Sequence, residues 1–135
     1  MPALTGQTIA EAQGAVRALL DQALVDSGLD SNEFVALRVA AARRTDDLAG
    51  FLAGQRQLGL GPERATELVA GLEQRGLLAA GAITADGAAL HERAQARVAE
   101  TTARLYGSMD ENDLATTQRV LTEVITRAAE LTRAG

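Results

Sequence analysis

The sequence closes on a pattern that admits one local structure. From Leu114 onward, Thr117, Leu121, Val124, Ala128 and Leu131 follow at alternating spacings of 3 and 4. Such spacing lines one stripe of an α-helix, and sustained over this length it is the heptad signature of a helix packed along another helix. The N-terminal region repeats it: Ile9, Ala12, Val16, Leu19 and Ala23 form a second seam, widened by Leu20 and Leu24. The short helices predicted between these ends cannot bury both seams all round. Either a second copy of the chain covers them or the two long helices pair within one chain. Long seams at both termini favour a homodimer, with Ile9, Val16, Leu114, Leu121, Val124 and Leu131 in its interface.

The rest of the chain is also predicted helical. Its 47% hydrophobic content comes mostly from Ala, Leu and Val, aromatics are 2%, and Pro occurs twice, a balance that suits helix over sheet. The predicted class is therefore all-α, as one domain over residues 1–135, since this length supports one core. The first helix is expected from about Thr8 to Ser27, stopped by Gly28. A second follows with Ser31 as N-cap and Phe34, Leu37 and Ala41 on its inner face, and Arg43 and Arg44 in its last turn, where cations suit the helix dipole. A third, over TDDLAGFLAGQRQ, is capped by Thr45 or Asp46 and buries Leu48, Phe51 and Leu52. After Leu58-Gly59-Leu60 a fourth opens at Pro62, turns Ala65, Leu68, Val69 and Leu72 inward and stops at Gly76.

One stretch breaks the run of helices. In GLLAAGAITADG, residues 76–87, Leu78-Ala79 can pair with Ala82-Ile83 as a minimal β-hairpin, and a fifth helix starts at once from Thr84 or Ala85 and runs to about Tyr106. The last helix restarts in SMDENDL, where Asp110 caps and Asp113 holds the capping-box position.

Little in the composition supports catalysis. Cys is absent, which excludes disulfides, thiol nucleophiles and thiolate metal sites. His91 is the sole histidine and has no nucleophile context around it. Carboxylates at Glu63, Glu67 and Glu73, and at Asp110, Glu111 and Asp113, are spaced as solvated faces and caps. The chain is read as a non-enzyme with no metal and no cofactor. No apolar run reaches the roughly 18 residues of a membrane span and no leader pattern opens the sequence, so a soluble, cytoplasmic protein is expected. The formal net charge is −5, and all 13 bases are arginines.

The two short helices joined by a Gly-containing turn fit a helix-turn-helix. Together, LGLGPERATELVAGLEQRGLL, ITADGAAL, the long helix and the SMDENDL restart resemble the MarR family of winged helix-turn-helix transcription regulators over nearly the whole chain. The points of resemblance are Leu58-Gly59-Leu60 as the turn, Pro62 opening the recognition helix, Leu72 and Gly76-Leu77 at its end, the T-x-x-G of Thr84 to Gly87 after the wing, and Leu114 after the capped start of the last helix. The resemblance implies a helix-turn-helix lobe over 31–83 and dimerisation helices over 5–28 and 84–133. It further implies a dimeric DNA-binding regulator, a repressor that docks on a pseudo-palindromic operator in double-stranded DNA and responds to a small aromatic or lipophilic ligand. Carried onto this sequence, Arg64 would read a base, Thr66 would contact a base or a phosphate, Arg56 and Arg75 would contact phosphates, and Gly61 and Pro62 would allow close backbone approach.

Three features depart from the family pattern. Residues 46–83 hold five acids (Asp46, Asp47, Glu63, Glu67, Glu73) against three bases (Arg56, Arg64, Arg75), a net charge of −2. Glu67 and Gly71 stand where basic residues are usual, and the segment from Thr45 to Gln57 is longer than the pattern. The wing is cut to six uncharged residues between Leu77 and Thr84. These departures support an alternative: a dimer of this fold that has lost direct DNA readout and serves as a ligand-binding or protein-interaction module.

Overall fold

In the computed structural model, which describes residues 4–43 and 46–134, six helices and one hairpin follow in the order α1 (Gly6–Leu24), α2 (Ser31–Ala42), α3 (Leu48–Ala53), α4 (Pro62–Gln74), β1 (Leu78–Ala79), β2 (Ala82–Ile83), α5 (Ala85–Tyr106) and α6 (Glu111–Ala134). The chain divides into two compact units between Thr101 and Thr102, a boundary that falls within α5.

In the first unit, the helix ends follow from the chemistry of the caps. Thr5 opens α1, its hydroxyl oxygen accepting the Thr8 N–H at 3.2 Å. A 3-10 turn over Val25–Ser27 then carries the chain to Gly28, at φ 73. Asp30, rather than Ser31, caps α2: its carboxylate accepts the Glu33 N–H at 2.8 Å while Glu33 accepts the Asp30 N–H at 2.9 Å. This reciprocal capping box satisfies two amides at once, which a serine one residue later cannot match, and Ser31 is buried instead. Asp47, not Asp46, caps α3, accepting the Gly50 N–H at 2.9 Å; Thr45 and Arg44 lie outside the described residues. The third helix is also shorter than its sequence pattern, because Gly54 ends it and Arg56–Leu58 form a separate 3-10 turn.

The core draws on every element of this unit. Leu24, Phe34, Leu37, Leu52 and Leu72 are fully buried, and Leu29, Ala36, Ala40, Leu48, Leu60, Ala65, Leu77, Leu78 and Ala94 complete the cluster. Ala40 takes the inner position expected for Ala41, which is exposed. Helix α3 packs on α4, α4 sits beside β1, and α2 beside β2. The antiparallel register pairs Leu78 with Ile83 and Ala79 with Ala82. Phe51 is half-buried under the Arg43 guanidinium, whose carbon stands 4.4 Å from the ring centroid.

In the second unit, Asp110 caps α6 by accepting the Asp113 N–H at 3.0 Å. None of the described residues of this 24-residue helix is buried. Val124, Ile125 and Leu131 are 36%, 70% and 72% exposed, while Leu114, Val120 and Leu121 are half-buried. No described helix is long and apolar enough to cross a membrane.

Candidate nucleic-acid interface

The residues between α3 and α4 build a turn that delivers α4 to the surface. Gly59 reverses the chain at φ 62, a left-handed geometry that a side chain would strain. Leu60 anchors the turn in the core at 8% exposure. Gly61 then precedes Pro62 at the first helical position, with no side-chain cap on the helix start. The open amides of that first turn carry the positive end of the helix dipole toward solvent. Ala65 and Leu72 hold the inner face while Glu63, Arg64, Thr66, Glu67 and Ala70 are exposed.

The structure brings Gly61, Pro62, Arg64 and Thr66 together on the first two turns of α4. No ion pair engages Arg64 among the described residues, so its guanidinium is available as a forked donor. The Thr66 hydroxyl donates to the Pro62 carbonyl at 2.9 Å. With its proton committed there, Thr66 can accept a hydrogen bond from an adenine or cytosine amino group but has nothing to donate to a phosphate. Arg56 is exposed on the 3-10 turn that precedes Gly59.

Arg75 lies at the other end of α4 and is already engaged. Its Nη1 stands 3.1 Å from Glu33 Oε2, the second oxygen of the carboxylate that closes the α2 capping box. The other guanidinium nitrogen reaches the α1–α2 turn, 3.7 Å from where a Cβ would sit on Gly28. This 42-residue separation in sequence hides the pair from any local pattern. Arg43 is likewise committed to Phe51. Glu63 and Glu67, with Pro62 and Thr66, line a shallow open depression on α4, so carboxylates flank the unengaged arginine.

After α4 the wing is short and firmly seated. Leu77 and Leu78 are 6% and 2% exposed, and the turn residues Ala80 and Gly81 have φ 51 and 79, the two positive values of a type I′ hairpin. Thr84 closes the base: its hydroxyl donates to the Gly76 carbonyl at 2.7 Å and accepts the Gly87 N–H at 3.0 Å. Its own N–H donates to the Leu77 carbonyl at 3.1 Å. The T-x-x-G sequence is thus the joint between wing and α5.

His91 belongs to the packing beneath this lobe. Its ring stacks on Phe34 with centroids 5.4 Å apart and planes 25° apart, and its Nε2 is buried with no hydrogen-bond partner. Burial and then the Arg38 charge hold its pKa below the ordinary histidine value, partly opposed by Glu92. Of the expected interface residues, Val16 is 44% exposed on α1 and Ile9 is half-buried. On α6 the exposed apolar set includes Ile125, which the strict 3–4 spacing omits.

No protein-family model matches the sequence, and no curated protein matches it. Solved structures do. A MarR-family transcriptional regulator from Rhodococcus sp. RHA1 superposes with a TM-score of 0.75 at 25% identity, over 88% of this chain and 89% of that one. A Mycobacterium tuberculosis MarR-family protein solved in complex with DNA gives 0.73 at 26% identity, over 91% and 98%. The Mycobacterium tuberculosis protein in complex with salicylic acid gives 0.72 at 27% identity, over 90% and 98%.

Proposed function

We propose that this chain, a winged helix-turn-helix protein of the MarR family by its likeness to solved structures, is a homodimeric DNA-binding transcription regulator, a repressor whose hold on a pseudo-palindromic operator is modulated by a small aromatic or lipophilic ligand. The observation that carries this reading is the surface of α4. A Gly61-Pro62 start, open first-turn amides, an unengaged Arg64 and an acceptor at Thr66 are what a recognition helix presents to a major groove. Support for the ligand is the salicylic acid complex of a 27% identical relative. Support for the dimer is α6, since a 24-residue helix with no fully buried residue gains little stabilisation from its own unit. Nothing in this role requires catalysis or a cofactor, and the protein would act in the cytoplasm.

The test is selection of duplex oligonucleotides on the purified protein, followed by a salt titration of the winning duplex. Of the three arginines between residues 46 and 83, Arg56 and Arg64 have no ion pair among the described residues, which gives four per dimer; at about 0.9 per neutralised phosphate the log-log slope should lie near −4. No enrichment at low salt and micromolar dimer would leave the second reading, a dimer without DNA readout that binds ligand or protein. The net charge of −2 over residues 46–83 and the carboxylates beside Arg64 favour that alternative.

A further inference from the structure

We infer that this protein reads its operator through the major groove alone, leaving the minor groove unread because its wing carries no group able to enter it. The inference rests on the DNA-binding reading above and specifies which face of the duplex carries the sequence information.

Reach comes first. Leu78, the first residue of β1, is packed in the core at 2% exposure, and the chain reverses at Ala80-Gly81. Only Ala79 separates the anchored leucine from the turn, and the two steps from Leu78 to Ala80 project about 7 Å at roughly 3.4 Å per residue. The joint at the base allows little swing. Thr84 ties the hairpin to Gly76, Leu77 and Gly87 through three hydrogen bonds of 2.7 to 3.1 Å, and Leu77 is itself buried.

Chemistry comes second. A minor groove is a slot about 6 Å wide whose negative potential is met by Arg or Lys, and whose floor is read by side-chain donors or opened by apolar wedges. The four residues at the end of this wing are Ala79, Ala80, Gly81 and Ala82. They offer no cation, no side-chain donor and no wedge. The ten residues from Gly76 to Ala85 contain no charge at all. The charged residues that bracket them are Arg75, paired with Glu33, and Asp86, whose carboxylate repels phosphate. A full-length wing would sample bases beyond the half-site covered by α4; here those positions contribute nothing to discrimination.

The experiment uses the wild-type protein and chemically edited duplexes derived from the selected operator. Replacing guanine by inosine deletes the 2-amino group in the minor groove, and replacing adenine by 2,6-diaminopurine adds one; both leave the major-groove edge intact. Replacing guanine by 7-deazaguanine removes a major-groove acceptor instead. Every minor-groove edit is expected to leave Kd within about 2-fold, while 7-deaza edits under α4 weaken binding by about 5-fold to 100-fold, the range for one lost base contact. A loss of about 10-fold or more from inosine or diaminopurine at positions flanking the half-sites would overturn the inference while leaving the DNA-binding reading intact. Failure of every duplex to bind would refute that reading, and this inference with it.

Discussion

Gly87 offers a test of how the wing is joined to the body of the protein. It is buried one turn into α5, and a Cβ added there would fall on the Leu77 carbonyl oxygen, far inside contact distance, as well as 3.0 Å from Leu77 C and from Ile83 Cγ1. Two of these three atoms are backbone, so no rotamer change relieves the clash. The carbonyl cannot simply retreat, because it accepts the Thr84 N–H at 3.1 Å. Overpacking of this kind costs up to about 3 kcal/mol, and weakening the Thr84 bond adds about 0.5 to 1 kcal/mol, for a total near 3.5 kcal/mol. With an unfolding entropy of ~2.1 cal/mol/K per residue, a chain of this length changes by ~0.28 kcal/mol/K, so Gly87→Ala should lower Tm by about 12 °C. Thermal unfolding followed by far-UV circular dichroism at fixed protein concentration measures it. Gly71→Ala is the internal control: nothing lies within 4 Å of its added Cβ, and within α4 alanine should stabilise by about 0.5 to 1 kcal/mol. A fall of less than about 3 °C for Gly87→Ala would refute the packing described for the joint.

Other expectations follow from the same geometry. Because the folded-state pKa of His91 is depressed, the stability it contributes is complete above the unfolded value of about 6.5 and is lost as pH falls from there through the folded pKa. His91→Phe, which keeps the stack on Phe34, should flatten the decline in Tm between pH 7.5 and 5; an unchanged decline would show that other groups cause it. Arg64→Ala should weaken operator binding by about 1 to 3 kcal/mol and relax preference at one position of each half-site. Arg75→Ala, by contrast, should leave the salt slope unaltered, since its guanidinium is held by Glu33; a slope shallower by about 2 per dimer would restore it as a phosphate contact. Leu121→Asp should convert the proposed homodimer to monomer in light scattering, and retention of a dimer mass would remove α6 from the interface.

Much of the fold was legible because helices announce themselves locally. The 3–4 spacings, the stops at Gly28 and Gly76, the Pro62 start and the register of the hairpin all depend on neighbours within a few residues. The cap errors show where that locality fails. Asp30 and Ser31 are both competent caps, and the discriminating signal was present as D-x-x-E from Asp30 to Glu33, one residue earlier than the serine. In TDD before α3 three residues in a row can cap; the choice of Asp47 follows from where Leu48 and Leu52 must point to be buried, a tertiary condition. Helix α2 is apolar over most of its surface, from Val35 to Ala42, so spacing alone could not separate Ala40 from Ala41. The site was legible in outline only. Arg75 carries the same letter as Arg64, yet its partner is 42 residues away and no periodicity reports it.

The exposure of α6 has a thermodynamic consequence. A helix with no fully buried residue, its packing limited to half-buried side chains such as Leu114, Val120 and Leu121, gains little intramolecular burial to offset nucleation. In the proposed homodimer its helicity would then follow mass action: on dilution below the dimer dissociation constant, the terminal segment would unwind as the partner is lost. Operator affinity measured at nanomolar protein would therefore include the free energy of rebuilding this helix, and the concentration of binding-competent dimer would rise with the square of the free monomer concentration. In a cell, occupancy of the operator would respond to the number of copies of the protein more sharply than a preformed reader could.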